Sequence, residues 1–129
     1  MGPGHSKNTR VLVIDDEGKF CSLVESFLAG RGYTVATAST SSDALVQMER
    51  FSPEVIVMDL VMPGLSGLEL LKLAKDRTFP PRVIMVTAVD ADQVAHQAMS
   101  EGAQAFMSKP VDLDALERLI SGIWPASNQ

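Results

Sequence analysis

The stretch VLVIDDE, residues 11–17, sets four consecutive apolar side chains directly against two adjacent carboxylates. An apolar run of strand length, with no alternation of polar and apolar positions, fits a strand buried on both faces. Two valines and an isoleucine among the four favour extended backbone. The doublet that follows, Asp15 and Asp16, is harder to explain, because neighbouring like charges repel.

Similar runs recur along the chain. They are YTVATA (33–38), VIVM (55–58), VIMV (83–86) and AFM (105–107), and a segment with helical spacing separates each from the next. In the first such segment Phe20, Leu23, Val24, Phe27 and Leu28 form one apolar stripe, with Gly30 or Gly32 as the stop. Ser41 or Ser42 is expected to cap the second helix, which carries Ala44, Leu45 and Met48 and ends before Ser52 and Pro53. The third helix spans about 66–76 and is broken by FPP at 79–81. The fourth spans about 91–100 and stops at Gly102. The fifth spans about 113–124, with Leu113, Leu116, Ile120 and Ile123 on one side and Pro125 as its end. Five β/α units of this kind imply an α/β, doubly wound parallel sheet covered by helices on both faces.

The totals agree with a single soluble domain. The 129 residues are 46% hydrophobic and 21% charged, and the net charge is −5. That charge and the lack of any Lys/Arg run speak against nucleic-acid binding by this domain. No apolar run reaches membrane-spanning length and no signal peptide is evident, so a cytoplasmic location is expected. Residues 1–8 resemble an expression-tag remnant, 9–124 form the domain, and 125–129 are a tail or linker. The lone Cys21 reads as a small buried side chain, and His96 as a surface residue.

In parallel α/β sheets chemistry gathers beyond the carboxyl ends of the strands. Strand one ends in Asp15 and Asp16, strand three in Asp59, strand four in Thr87 followed by Ala88, and strand five in Lys109 followed by Pro110. Each has an ordinary explanation as a helix cap, an Asx turn or a solvated charge. Their joint position at one rim does not. Three carboxylates at one site need a cation, or one proton must stay bound; Lys109 supplies one charge, and oxygen ligands without His or Cys select a hard ion, Mg²⁺. A carboxylate beside such an ion and a lysine is a plausible phosphoryl acceptor. Asp59 is the best candidate, because the Pro/Gly-broken loop DLVMPGLSG leaves room for a donor.

With the motifs VIDDE, VMDLVMPGLSGLEL, VTA and GAQAFMSKP in this order, residues 9–124 resemble the receiver domains of two-component response regulators. Chemotaxis regulators of that family have strand order 2-1-3-4-5. The resemblance implies that Asp59 takes a phosphoryl group from a sensor histidine kinase or phosphotransfer protein. It further implies that Asp16, Asp59 and the backbone carbonyl of Val61 ligate Mg²⁺, with Asp15 acting through water. Lys109 would pair with a phosphoryl oxygen, and Pro110 would be a cis-proline that aims it. Thr87 would donate to the phosphoryl group, Ala88 would keep the approach open, and Phe106 would be the switch aromatic that carries the change to the face of helix four, strand five and helix five. A downstream effector domain or protein would read that face.

Where some relatives carry amide or acidic side chains at two positions, this chain has Val61 and Val89, so slow self-dephosphorylation is expected. The protein is then a phosphoacceptor and switch, not an enzyme. Leu70 and Leu73, off the main stripe of helix three, and Trp124 are candidate contact residues. Three alternatives share parts of this pattern. A haloacid-dehalogenase-type hydrolase would need Asp-x-Asp after strand one, where this chain has an adjacent doublet. A flavodoxin-like cofactor binder would need a phosphate loop, which is missing. A phosphorylation-independent receiver-like interaction module remains the main competitor.

Overall fold

The computed structural model describes residues 9–123 apart from 63, 65 and 88–91, and gives the backbone alone for 92–94 and 123. Ala88, Val89, Trp124, both chain ends and Pro125 lie outside the described residues. Five strands, β1 (Arg10–Ile14), β2 (Thr34–Ala38), β3 (Val55–Asp59), β4 (Arg82–Thr87) and β5 (Ala105–Ser108), alternate with five helices. The helices are α1 (Gly18–Ala29), α2 (Ser41–Phe51), α3 (Gly67–Lys75), α4 (Asp92–Ser100) and α5 (Leu113–Ile123). All strand pairs are parallel, in the order β2-β1-β3-β4-β5. The doubly wound α/β fold expected from the sequence is the observed one.

The apolar runs explain the layering. Alternate residues of β1 and β3 point to opposite faces, and each face has its own buried cluster. Leu12, Ile14, Ile56 and Met58 pack with Ala44 and Met48 of α2, Leu70, Leu71 and Ala74 of α3, and Ala98 of α4. Val11, Val13, Val55 and Val57 pack with Cys21, Val24 and Leu28 of α1 and with Leu116 and Ile120 of α5. These strand side chains are almost wholly removed from water, which at about 25 cal/mol per Å² makes the central strands the main source of stability.

Several local expectations are corrected. The stripe of α1 is centred on Cys21, Val24 and Leu28, while Leu23 is 56% exposed. At 100° per residue Leu23 lies about 130° round the helix from that centre. Leu45 of α2 is likewise exposed. Leu70 belongs to the core face of α3 with Gly67, Leu71 and Ala74, so it is not a contact residue, whereas Leu73 is exposed. The cap of α2 is Thr40, whose hydroxyl accepts from the Asp43 N–H, and not Ser41 or Ser42. Helix α1 ends with Gly30 in a right-handed conformation, and Gly32, at φ 99°, makes the left-handed turn. Ser66 and Glu69 cap α3 reciprocally.

Candidate functional site

The register brings the acidic residues together. β1 lies beside β3, with Ile14 opposite Met58, so Asp15 and Asp16 leave β1 next to Asp59, the last residue of β3. Carboxylate oxygens of Asp15, Asp16 and Asp59 all lie within 4.8 Å of one another. Asp15 is fully buried and Asp59 nearly so, whereas Asp16 is exposed. Asp16 is not the cap of α1, since Glu17 occupies the N-cap position without a side-chain cap bond.

Each buried carboxylate is held by one turn. Asp15 Oδ1 accepts from the Glu17 N–H at 2.8 Å, and Asp59 Oδ1 accepts from the Val61 N–H at 3.0 Å. The Asx turn expected as an ordinary reason for Asp59 is therefore present, and it fixes the carboxylate at the rim. The Val61 side chain is 61% exposed. The remaining oxygens face Lys109. Its ammonium lies 2.7 Å from Asp15 Oδ2, 3.4 Å from Asp59 Oδ2 and 3.7 Å from Glu17 Oε1. It also stands 4.4 Å above the centre of the Phe20 ring, a cation–π contact that adds to its placement.

β5 delivers the lysine. Ser108 pairs with Thr87, and the Lys109 N–H donates to the Thr87 carbonyl at 2.8 Å. Thr87, buried at the end of β4, thus flanks the site on the side opposite β1. The Lys109–Pro110 peptide bond is cis, as the resemblance implied. Phe106, on β5, is half-buried and packs against the cluster beneath α2, α3 and α4. Ala88 lies outside the described residues.

The electrostatics leave the site short of positive charge. Burial raises the pKa of Asp59 above its ordinary value, and the Asp15 charge adds to this; the Val61 N–H and Lys109 offset only part. Burial pulls the Lys109 pKa down, but the hydrogen bond and charge of Asp15, and then Asp59, outweigh it and the net shift is upward. Three clustered carboxylates with oxygen donors only, one of them exposed, fit a hard divalent cation that keeps several waters. Cys21 is not a ligand here. It is buried, its thiol donates to the Asp15 carbonyl at 3.3 Å, and burial pushes its pKa up to about 11.

Three contributors lie beyond the sequence reading. Glu17 is a further carboxylate on Lys109, and the triplet DDE displays it. Phe20 reads in the sequence only as part of an apolar stripe. Gly67 is required by packing: a Cβ there would meet the Asp59 carbonyl oxygen and the Leu60 Cα at 2.6 Å. A glycine at the first helical position, directly after a serine cap, is the available signal. His96 is exposed, as expected.

Comparison with known proteins follows the same lines. The family model described as "Response regulator receiver domain" matches residues 11–121. The alkaline phosphatase synthesis transcriptional regulatory protein PhoP of Bacillus subtilis is 34% identical over 103 residues, 80% of this chain and 43% of its own length. The transcriptional regulatory protein TrcR of Mycobacterium tuberculosis is 29% identical over 88% of this chain and 44% of its own length. The chain thus spans less than half the length of these relatives. Among solved structures, a CheY-like response regulator receiver domain protein from Methanospirillum hungatei superposes with a TM-score of 0.85 at 27% identity, covering 90% of this chain and 93% of that one.

Proposed function

This chain belongs to the response regulator receiver domains, and on that premise we propose that it is a phosphorylation-activated switch of a two-component system, with Asp59 as acceptor. The donor is the phosphohistidine of a sensor histidine kinase or phosphotransfer protein. One observation carries the reading: a single ammonium, Lys109, is shared by the buried carboxylates of Asp15 and Asp59.

The residues divide the work. A carboxylate oxygen of Asp59 attacks phosphorus, the P–N bond to the donor imidazole breaks, and an acyl phosphate remains. Mg²⁺ is the ion that fits the oxygen donors, and Asp16, Asp59 and the Val61 carbonyl would hold it, with Asp15 acting through water. When bound it neutralises charge on the transferring group. Lys109 moves from the carboxylates to a phosphoryl oxygen, and the Thr87 hydroxyl donates to another. Movement of Thr87 opens room beside β5, and Phe106 follows it inward. The added charge of about −1.5 to −2 shifts a two-state equilibrium at the face of α4, β5 and α5, where an effector domain or protein reads it.

In this reading the protein is a cytoplasmic phosphoacceptor that assists its own phosphorylation and slow dephosphorylation, and is not a turnover enzyme. No helix among the described residues is long and apolar enough to cross a membrane, and the acidic charge disfavours direct nucleic-acid contact by this domain. The test is addition of beryllofluoride or acetyl phosphate with Mg²⁺. The expected result is a spectral change at Phe106 and α4 that disappears in Asp59→Asn. Silence in the wild-type protein would instead identify a phosphorylation-independent interaction module.

A further inference from the structure

The end of the sheet opposite Asp59 holds a second concentration of charge. Strands β1 and β4 begin there with Arg10 and Arg82, roughly 15 Å from the acceptor rim at ~3.3 Å per strand residue. The backbone ties this edge together: the Glu54 N–H donates to the Arg10 carbonyl, and the Arg82 N–H to the Glu54 carbonyl. With the connection that leads from α3 into β4, these residues enclose an open cleft of about 830 Å³, within the range of small-molecule sites.

Four cations and three carboxylates line the cleft, in a chain whose net charge is −5. Two of the cations are satisfied. Arg10 pairs with Glu54 and donates from Nε to the Ser52 carbonyl, and Arg77 pairs with Glu49 at 3.3 Å. Lys75 and Arg82 are different: among the described residues neither side chain has a carboxylate or hydrogen-bond partner. Lys75 and Arg82 line the same cleft, and burial, and then the charge of Arg82, lowers the Lys75 pKa. The third carboxylate, Asp76, is exposed. The Lys75 stem lies against Gly102, where a Cβ would meet its Cε at 3.1 Å, and that contact restrains the ammonium. Phe79 lines the same cleft and is 89% exposed, more than any other large apolar residue described. Its neighbours Pro80 and Pro81 stiffen the loop that presents it.

Two cations that line one cleft without an acidic partner among the described residues are relieved best by a ligand carrying two negative charges, and an exposed flat ring on the same cleft is a stacking platform. We propose that this cleft binds a mononucleotide, with its phosphate between Lys75 and Arg82 and its base against Phe79. The cleft is separate from the acceptor site and needs neither Mg²⁺ nor Asp59.

The test is an amide-resonance titration of the 129-residue chain, without Mg²⁺, using AMP, GMP, CMP and UMP, with inorganic phosphate and adenosine as controls. At least one mononucleotide should produce saturable shifts at Lys75, Phe79 and Arg82, equally in Asp59→Asn. Lys75→Gln with Arg82→Gln should weaken binding tenfold or more. Phe79→Ala, at an exposed position that leaves the fold intact, should weaken the mononucleotide but not phosphate. Lys72→Gln, outside the cleft, should change nothing. The proposal is overturned if no mononucleotide gives saturable shifts at the cleft, if the shifts centre on Asp59, or if phosphate alone binds as tightly.

Discussion

The ammonium of Lys109 lies 2.7 Å from Asp15 Oδ2 but 3.4 Å from Asp59 Oδ2. In this form the lysine is held chiefly by the carboxylate that is not the proposed acceptor. A phosphoryl group on Asp59 must therefore compete with Asp15 for Lys109, and a divalent cation would ease that competition by taking over the charge of Asp15. Lys109→Met leaves two buried carboxylates without their cation. The metal-free variant should lose about 3 kcal/mol of stability in denaturant titrations, and Mg²⁺ should restore more stability to the variant than it adds to the wild type.

The raised pKa of Asp59 makes a prediction about pH. Burial first, then the Asp15 charge, favours the protonated acid in the folded protein. The folded state thus binds more protons than the unfolded state above the ordinary value of 3.8, and stability falls as pH rises through the window between that value and the raised one. Asp59→Asn removes this penalty. Without metal the variant should melt above the wild type at pH 7, and the difference should vanish as the pH falls below 3.8. Mg²⁺ should narrow the gap at pH 7 by stabilising the wild type. A pH-independent difference would show that desolvation of Asp59 is not its source.

The fold is legible in the sequence because each central strand is an unbroken apolar run, and a run buried on both faces has one common explanation. The acidic doublet, Asp59 and Thr87 are legible for a related reason: each directly follows or ends such a run, and Lys109 is separated from the apolar run of β5 by one residue. Side-chain partners are less accessible. Nothing in the sequence says that Lys109 prefers Asp15, or that Phe20 turns its ring toward that ammonium, because both depend on how the β5–α5 connection meets the start of α1. Leu23 departs from expectation for a simpler reason. Alternative stripes on one helix differ by a rotation of a single residue, and only the position of β1 beneath α1 selects among them.

Glycine packing separates site geometry from helix propensity. A Cβ on Gly67 would lie 2.6 Å from the Asp59 carbonyl oxygen and from the Leu60 Cα, whereas one on Gly122 would meet nothing within 4 Å. Gly67→Ala must push α3 away from the end of β3, at a cost of about 2 kcal/mol, and should slow phosphorylation of Asp59. Gly122→Ala, in an exposed turn of α5, should stabilise by about 0.8 kcal/mol with phosphorylation unchanged. Thermal melts and acetyl phosphate labelling of both variants provide the comparison.

Val61 bears on the lifetime of the proposed phosphorylated state. Its N–H is committed to Asp59 Oδ1 at 3.0 Å, so its position relative to the acceptor is fixed, while its apolar side chain is 61% exposed at the mouth of the site. A water that attacks the acyl phosphate in line receives no hydrogen bond from this side chain. Val61→Asn supplies one at the same place without disturbing the core. One neutral hydrogen bond made in the transition state is worth about 1 kcal/mol, or roughly fivefold in rate. Phosphate release should accelerate by that factor in Val61→Asn relative to the wild type, while Val61→Leu should leave the rate unchanged. Equal rates for all three proteins would mean that access of water, and not its orientation, limits hydrolysis.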